Sequence, residues 1–113
     1  MCNPKAIDHI TEKVVQVAKE NFGDKLDKVI LYGSYARGEN VDESDIDIMV
    51  LADIPIDEAN RLDMVLTRFT NRLGMEFDIV VSLLVKDCET FYKYLPADPF
   101  YQNVMRDGVL LSA

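Results

Sequence analysis

The chain has 113 residues, with 12 Lys or Arg against 20 Asp or Glu, a formal net charge of −8, one His, two Cys and no Trp. With 49% apolar and 28% charged residues, it suits one globular domain over residues 1–113, not a disordered acidic tail. The charge disfavours a grip on long DNA or RNA, which relies on neutralising many phosphates.

Asn3 before Pro4 reads as a cap followed by a first-turn proline, and Ile7, Ile10, Val14, Val17 and Ala18 recur at helical spacing until Gly23 stops the run after Phe22. That start has no apolar h-region, so no secretion signal is expected. Lys28 to Tyr32 is β-branched and apolar and ends at Gly33, a strand. Ser34 to Asn40 reads as a turn with one helical turn, followed by an acidic loop at Asp42-Glu43-Ser44. Asp45 to Leu51 returns as a strand, with Asp45 and Asp47 on one face and Ile46 and Ile48 on the other.

Pro55 opens a second helix whose stripe is Leu62, Val65, Leu66, Phe69 and Leu73, closed by Gly74. Glu76 to Leu84 is expected as a third strand carrying Asp78. Asp87 caps a short helix with Phe91, Tyr92 and Leu95, and Asp98-Pro99 starts another that ends near Gly108, before a short strand at Val109 to Leu111. The sum is an α/β domain with a small mixed sheet and flanking helices. The apolar runs around Ile48–Ala52 and Ile79–Val85 are too short to span a bilayer. Cys2 and Cys88 fit neither a disulfide framework nor a zinc spacing. A reducing cytoplasm is the expected compartment.

Chemistry is concentrated in two places. Asp45 and Asp47, two apart on a strand, project the same way about 6.5 Å apart, and such charges repel by roughly 2.5 kcal/mol at an effective dielectric near 20. A divalent cation reverses that sign, and oxygen-only ligands favour Mg²⁺ or Mn²⁺. Asp78 is a candidate third ligand if its strand pairs alongside. The plain alternative is a strand cap at Asp45 and a solvated Asp47.

The second place is Gly33-Ser34-Tyr35-Ala36-Arg37-Gly38, directly after a strand. Glycine admits close approach of an anion to backbone N–H groups, Ser34 adds a hydroxyl, and Arg37 offers a phosphate partner; a simple tight turn, with Arg37 paired to Asp42 and Glu43, is the competing reading. Gly33 and Gly38 have the glycine spacing of a P-loop, but Glu39-Asn40 occupy the Lys and Ser/Thr positions. The G-x-G-x-x-G fingerprint and the EF-hand glycine are both absent.

Together these residues carry a resemblance. Gly33-Ser34, ten residues, Asp45-Ile46-Asp47 and a later Asp78 resemble the signature of the DNA polymerase β-type nucleotidyltransferase superfamily. The fuller Gly-Ser-Tyr-Ala-Arg-Gly…Ser44-Asp-Ile-Asp-Ile string is similar to its minimal nucleotidyltransferase branch, and the likeness runs nearly end to end.

The resemblance implies a palm-like core in which Gly33 and Ser34 bind the triphosphate of an NTP and Arg37 contacts phosphate. It further implies that Asp45 and Asp47 hold two Mg²⁺ ions and that Asp78 completes the metal site and helps activate the acceptor hydroxyl. Minimal relatives pair with a small helical HEPN-domain protein, so the implied activity is an antitoxin's: AMP transfer from ATP to a tyrosine of a HEPN ribonuclease. The chain stopping where the core stops fits that reading. Two others stay open: neutralisation by binding alone, and transfer to a small-molecule hydroxyl. A homodimer and a hetero-oligomer both remain open.

Several residues are expected to be bland: His9 on a surface, Met64 and Met75 in packing, Cys88 an inert thiol, and Asp57, Glu58 and Asp63 a solvated helix face. Tyr94 and Tyr101 are candidates for a partner-facing aromatic patch.

Overall fold

The structure, a computed structural model, describes residues 4–38 and 45–112. The elements run α1 (Pro4–Phe22), a 3-10 turn (Gly23–Lys25), β1 (Leu26–Tyr32), α2 (Gly33–Arg37), β2 (Ile46–Ala52), α3 (Ile56–Glu76), β3 (Val81–Asp87), α4 (Cys88–Tyr94), α5 (Pro99–Asp107) and β4 (Val109–Ser112). The expected Asn3 cap and the Asp42–Ser44 loop lie outside the described residues. No helix of the described chain is long and apolar enough to cross a membrane.

The sheet is mixed, in the order β3-β2-β1-β4. β1 is antiparallel to both β2 and β4. β2 and β3 are parallel, since α3 carries the chain back across the sheet between them.

Alternation along the strands sends side chains to two cores. Val29, Ile46, Ile48, Val50, Val81, Leu83 and Val85 face α1 and α3, against the stripe Ile10, Val14, Ala18 and Phe22. Ile30, Met49 and Leu51 face α4 and α5, where Phe91, Tyr101 and Val104 close over them. Asp87 caps α4 by accepting the Thr90 N–H at 2.9 Å, and Asp98 caps α5 through Phe100 and Tyr101, as their positions suggest.

Several expectations are corrected. The second helix does not close at Gly74; α3 continues to Glu76. Gly74 is needed for close approach instead. It accepts the N–H groups of Phe77 and Ile79 at 3.0 and 2.9 Å, and a side chain there would strike the Ile79 carbonyl. The turn delays β3 to Val81, so Asp78 is not on a strand.

On α3 the buried stripe is Ala59, Leu62, Leu66, Thr70 and Leu73, which leaves Val65 on the flank and 50% exposed. Met64 and Met75 are outward, 65% and 81% exposed, so neither packs. Tyr101 is core, its ring tilted against that of Phe91 with centroids 4.7 Å apart, whereas Tyr94 is exposed.

Asp63 does more than face water. Its Oδ1 accepts the Val85 N–H at 2.7 Å, on the outer edge of β3. The bond satisfies a donor that would otherwise be an open template for strand pairing. Asp63→Ala should lower stability by about 1–2 kcal/mol in urea denaturation, and Asp63→Asn, which keeps an acceptor, should lose less. An unchanged midpoint for the alanine variant would show that the bond contributes nothing.

Candidate active site

The site lies at the end of the sheet where β1 ends and β2 begins, on the face shared with α5. Tyr32, the last residue of β1, pairs with Asp47, and Asp47 pairs on its other side with Ser82 of β3. These three residues form a row across three strands, one step beyond the apolar layer of Ile30, Met49 and Leu84. α4 and α5 cover that layer but not the row's β3 end: Ser82 is exposed, while Tyr32 and Asp47 are half-buried.

Gly33 follows Tyr32 immediately and has φ +73, in the left-handed region. That bend turns the chain from β1 into the short α2 and brings the backbone against the Asp47 carboxylate. A Cβ at residue 33 would fall on Asp47 Oδ2. The Gly33–Asp47 approach ties the two sequence features into one site. Asp47 also acts on Tyr32, whose hydroxyl is pushed up to about 12, first by burial and second by the Asp47 charge.

Asp45 lies one residue ahead of β2 and is exposed. The Ile46 N–H beside it donates to the Val80 carbonyl at 2.9 Å, fastening this end of β2 to the approach of β3. Asp78 is at the same end of the sheet, exposed, in the turn between α3 and β3 with φ 55. That left-handed conformation is tolerated by Asp better than by most residues. The turn takes Asp78 out of strand alternation: among the described residues, no three His, Cys, Asp or Glu side chains form a group able to hold a metal ion. Ser34 and Arg37 lie on α2, and their side chains, like the Asp42 and Glu43 partners weighed for Arg37, lie outside what is described.

The acids present nonetheless fit Mg²⁺. That ion is commonly held by one or two carboxylates together with substrate phosphates, not by an all-protein cage. Asp45 and Asp47 supply such a pair, and the lack of a side chain at Gly33 is what lets the Asp47 carboxylate sit where a Cβ would stand. Ser82 and Tyr32 were not singled out from the sequence; the signal for Ser82 was a lone polar residue inside the apolar run from Ile79 to Val85.

Cys88 is off this site. Burial first, then the charges of Asp27 and Asp53, push its thiol up to about 11, so it stays protonated and inert as expected. His9 is exposed on α1, packed beside Phe77.

The mixed sheet with flanking helices, with Asp47 on β2 against a strand-to-helix glycine and Asp45 just ahead of that strand, has the architecture of a nucleotidyltransferase. Residues 12–111 match the polymerase beta nucleotidyltransferase family model, and the chain belongs to that family.

Among relatives, it is 31% identical over 100 residues to "Putative protein adenylyltransferase MJ0604" of Methanocaldococcus jannaschii, covering 88% of this chain and 92% of that one. It is 38% identical over 88 residues to "Putative protein adenylyltransferase MJ0141" of the same organism, covering 76% and 79%.

Among solved structures, it is similar to a mutant form of the toxin–antitoxin MntA-HpeT, with a TM-score of 0.60 and 26% identity over 91% of this chain and 73% of that one. A toxin–antitoxin with AMP-PNP gives a TM-score of 0.58 and 27% identity over 90% and 73%.

Proposed function

We propose that this nucleotidyltransferase moves AMP from ATP onto a tyrosine of a cognate HEPN ribonuclease toxin, and so serves as the antitoxin of a pair. The observation that carries this reading is the Asp47 carboxylate packed against the Gly33 backbone at the mouth of α2. The relatives named as adenylyltransferases and the toxin–antitoxin with AMP-PNP support the donor and the kind of partner. The MntA-HpeT mutant carries a double Asp-to-Glu change at positions two apart, the spacing of Asp45 and Asp47.

In the proposed reaction the tyrosine hydroxyl oxygen attacks the α-phosphorus of ATP. The bond from that phosphorus to the bridging oxygen of the β-phosphate breaks, and pyrophosphate leaves. Asp78, exposed at the same end of the sheet, is assigned to the acceptor's hydroxyl proton. Gly33 and Ser34 are assigned to the triphosphate, with Arg37 as a further phosphate contact. Asp45 and Asp47 would hold Mg²⁺, or Mn²⁺ in its place, and the bound metal would neutralise charge on the triphosphate as it reacts. The rest of the work is positioning, as in other phosphoryl-type transfers.

The test is incubation of the purified pair with ATP and Mg²⁺, followed by peptide mass spectrometry and a ribonuclease assay. An AMP adduct on a toxin tyrosine with loss of ribonuclease activity is expected. Full neutralisation without any adduct would replace the proposal with inhibition by binding, and an adduct only on small molecules would move the acceptor elsewhere.

A further inference from the structure

A cleft of about 190 Å³ opens beside the Asp47 row, lined by Tyr32, Gly33, Phe100, Asn103, Val104 and Asp107. It lies between the end of β1 and the outer part of α5. Two of its walls, Tyr32 and Gly33, are the residues that pack around Asp47. It is smaller than the roughly 300–1,000 Å³ typical of pockets for whole drug-sized ligands. It suits a single flat ring system whose remainder lies outside.

Its chemistry is that of a base site. Phe100 meets Tyr32 edge-on at 5.6 Å and Tyr101 at 5.8 Å between ring centroids, and with 42% of the residue exposed the rest of its ring presents an aromatic surface. Asn103 is exposed one turn further along α5. Arg106 donates from Nη2 to Asn103 Oδ1 at 2.8 Å, which fixes the amide so that its NH₂ is the group offered to a ligand. The same guanidinium donates to both oxygens of Asp107 at 3.1 Å. Asp107 puts a carboxylate paired with that guanidinium on the wall, so the wall offers phosphate no uncompensated positive charge. A ligand shared between this cleft and the acids therefore has its neutral ring inside and its phosphates toward Gly33.

We infer that the cleft seats the adenine ring of the nucleotide donor, with Phe100 packing on the ring and Asn103 donating a hydrogen bond to a ring nitrogen. The inference rests on the reading of ATP as donor and adds the residues that select its base. Both side chains are on the outer face of α5, remote from the strand acids in sequence, so their effect is on binding the base and not on the triphosphate.

Calorimetric binding by the full chain with Mg²⁺ separates the two, using ATP and inorganic tripolyphosphate as probes. Phe100→Ala and Asn103→Ala should each raise the Kd for ATP about tenfold, the scale of losing one ring or edge contact. Their Kd for tripolyphosphate should match wild type. Wild-type ATP affinity in both variants would overturn the cleft assignment and leave the transferase reading intact. Equal losses for ATP and tripolyphosphate would also overturn it, by pointing to a general disturbance. Absence of ATP binding by the wild-type chain would overturn both.

Discussion

Asp47→Asn is expected to lower the rate of AMP transfer by about 10³-fold while leaving the fold in place. The substitution preserves shape but removes one of two negative charges that would hold the metal. Metal stabilisation of a phosphoryl transition state is worth several kcal/mol, and each 1.36 kcal/mol is a factor of ten in rate. Asp47 is the acid packed against Gly33, so its loss acts where the triphosphate would sit.

The same variant has a readout independent of activity. Asp47 is the second cause, after burial, of the raised Tyr32 titration, so removing its charge should move Tyr32 down from about 12 without returning it fully to 10. Because folded Tyr32 holds its proton more tightly than the unfolded chain, its contribution to stability is present below pH 10 and is lost as pH rises through about 12. In Asp47→Asn that loss should be smaller and complete at lower pH. Ultraviolet titration of tyrosinate and alkaline denaturation measure the two effects. Transfer within tenfold of wild type would remove Asp47 from the reaction, and an unmoved Tyr32 would remove the charge coupling.

Gly33→Ala should damage both stability and activity. At φ +73 an alanine is strained by about 1–2 kcal/mol. Its methyl group would also occupy the space of Asp47 Oδ2, so either the carboxylate rotates away or the start of α2 shifts. Displacement of a reacting group by about 1 Å can cost about 10²-fold in rate, and a loss of at least that size is expected, with a thermal midpoint several degrees lower. Gly38→Ala is the control. Gly38 also has a positive φ, but among the described residues a Cβ there meets nothing within 4 Å, so the substitution should lower stability with little effect on rate. Equal rate losses in the two variants would show that backbone strain, not the approach to Asp47, is what matters.

Most elements were legible because local chemistry and long-range packing agree. Pro4, Gly23, Asp87 and Asp98 mark ends that the structure keeps, and the alternation of Ile46 to Met49 correctly put Asp47 opposite the isoleucines. The junction of α3 and β3 was misread because two signals are ambiguous in a lone sequence. A glycine can stop a helix or admit a neighbouring backbone, and Gly74 does the second. The run Phe77 to Val81 has strand composition, yet Asp78 is in a left-handed turn.

Exposure on a helix flank is equally hard to read, since Val65 is one residue and Met64 two residues from the buried Leu66. Within the site, the acids and Gly33 announced themselves through residue type and spacing. Ser82 and the α5 wall did not, because only sheet register and the packing of α5 bring them to Asp47 and Gly33.

The most direct measurement is a paired labelling reaction with the purified chain, the proposed HEPN toxin and Mg²⁺, using ATP labelled at the α-phosphate in one tube and at the γ-phosphate in the other. Nucleotidyl transfer predicts that only the α-label enters the partner while the γ-label leaves in pyrophosphate. Label entering from the γ-position, or from neither, would contradict it.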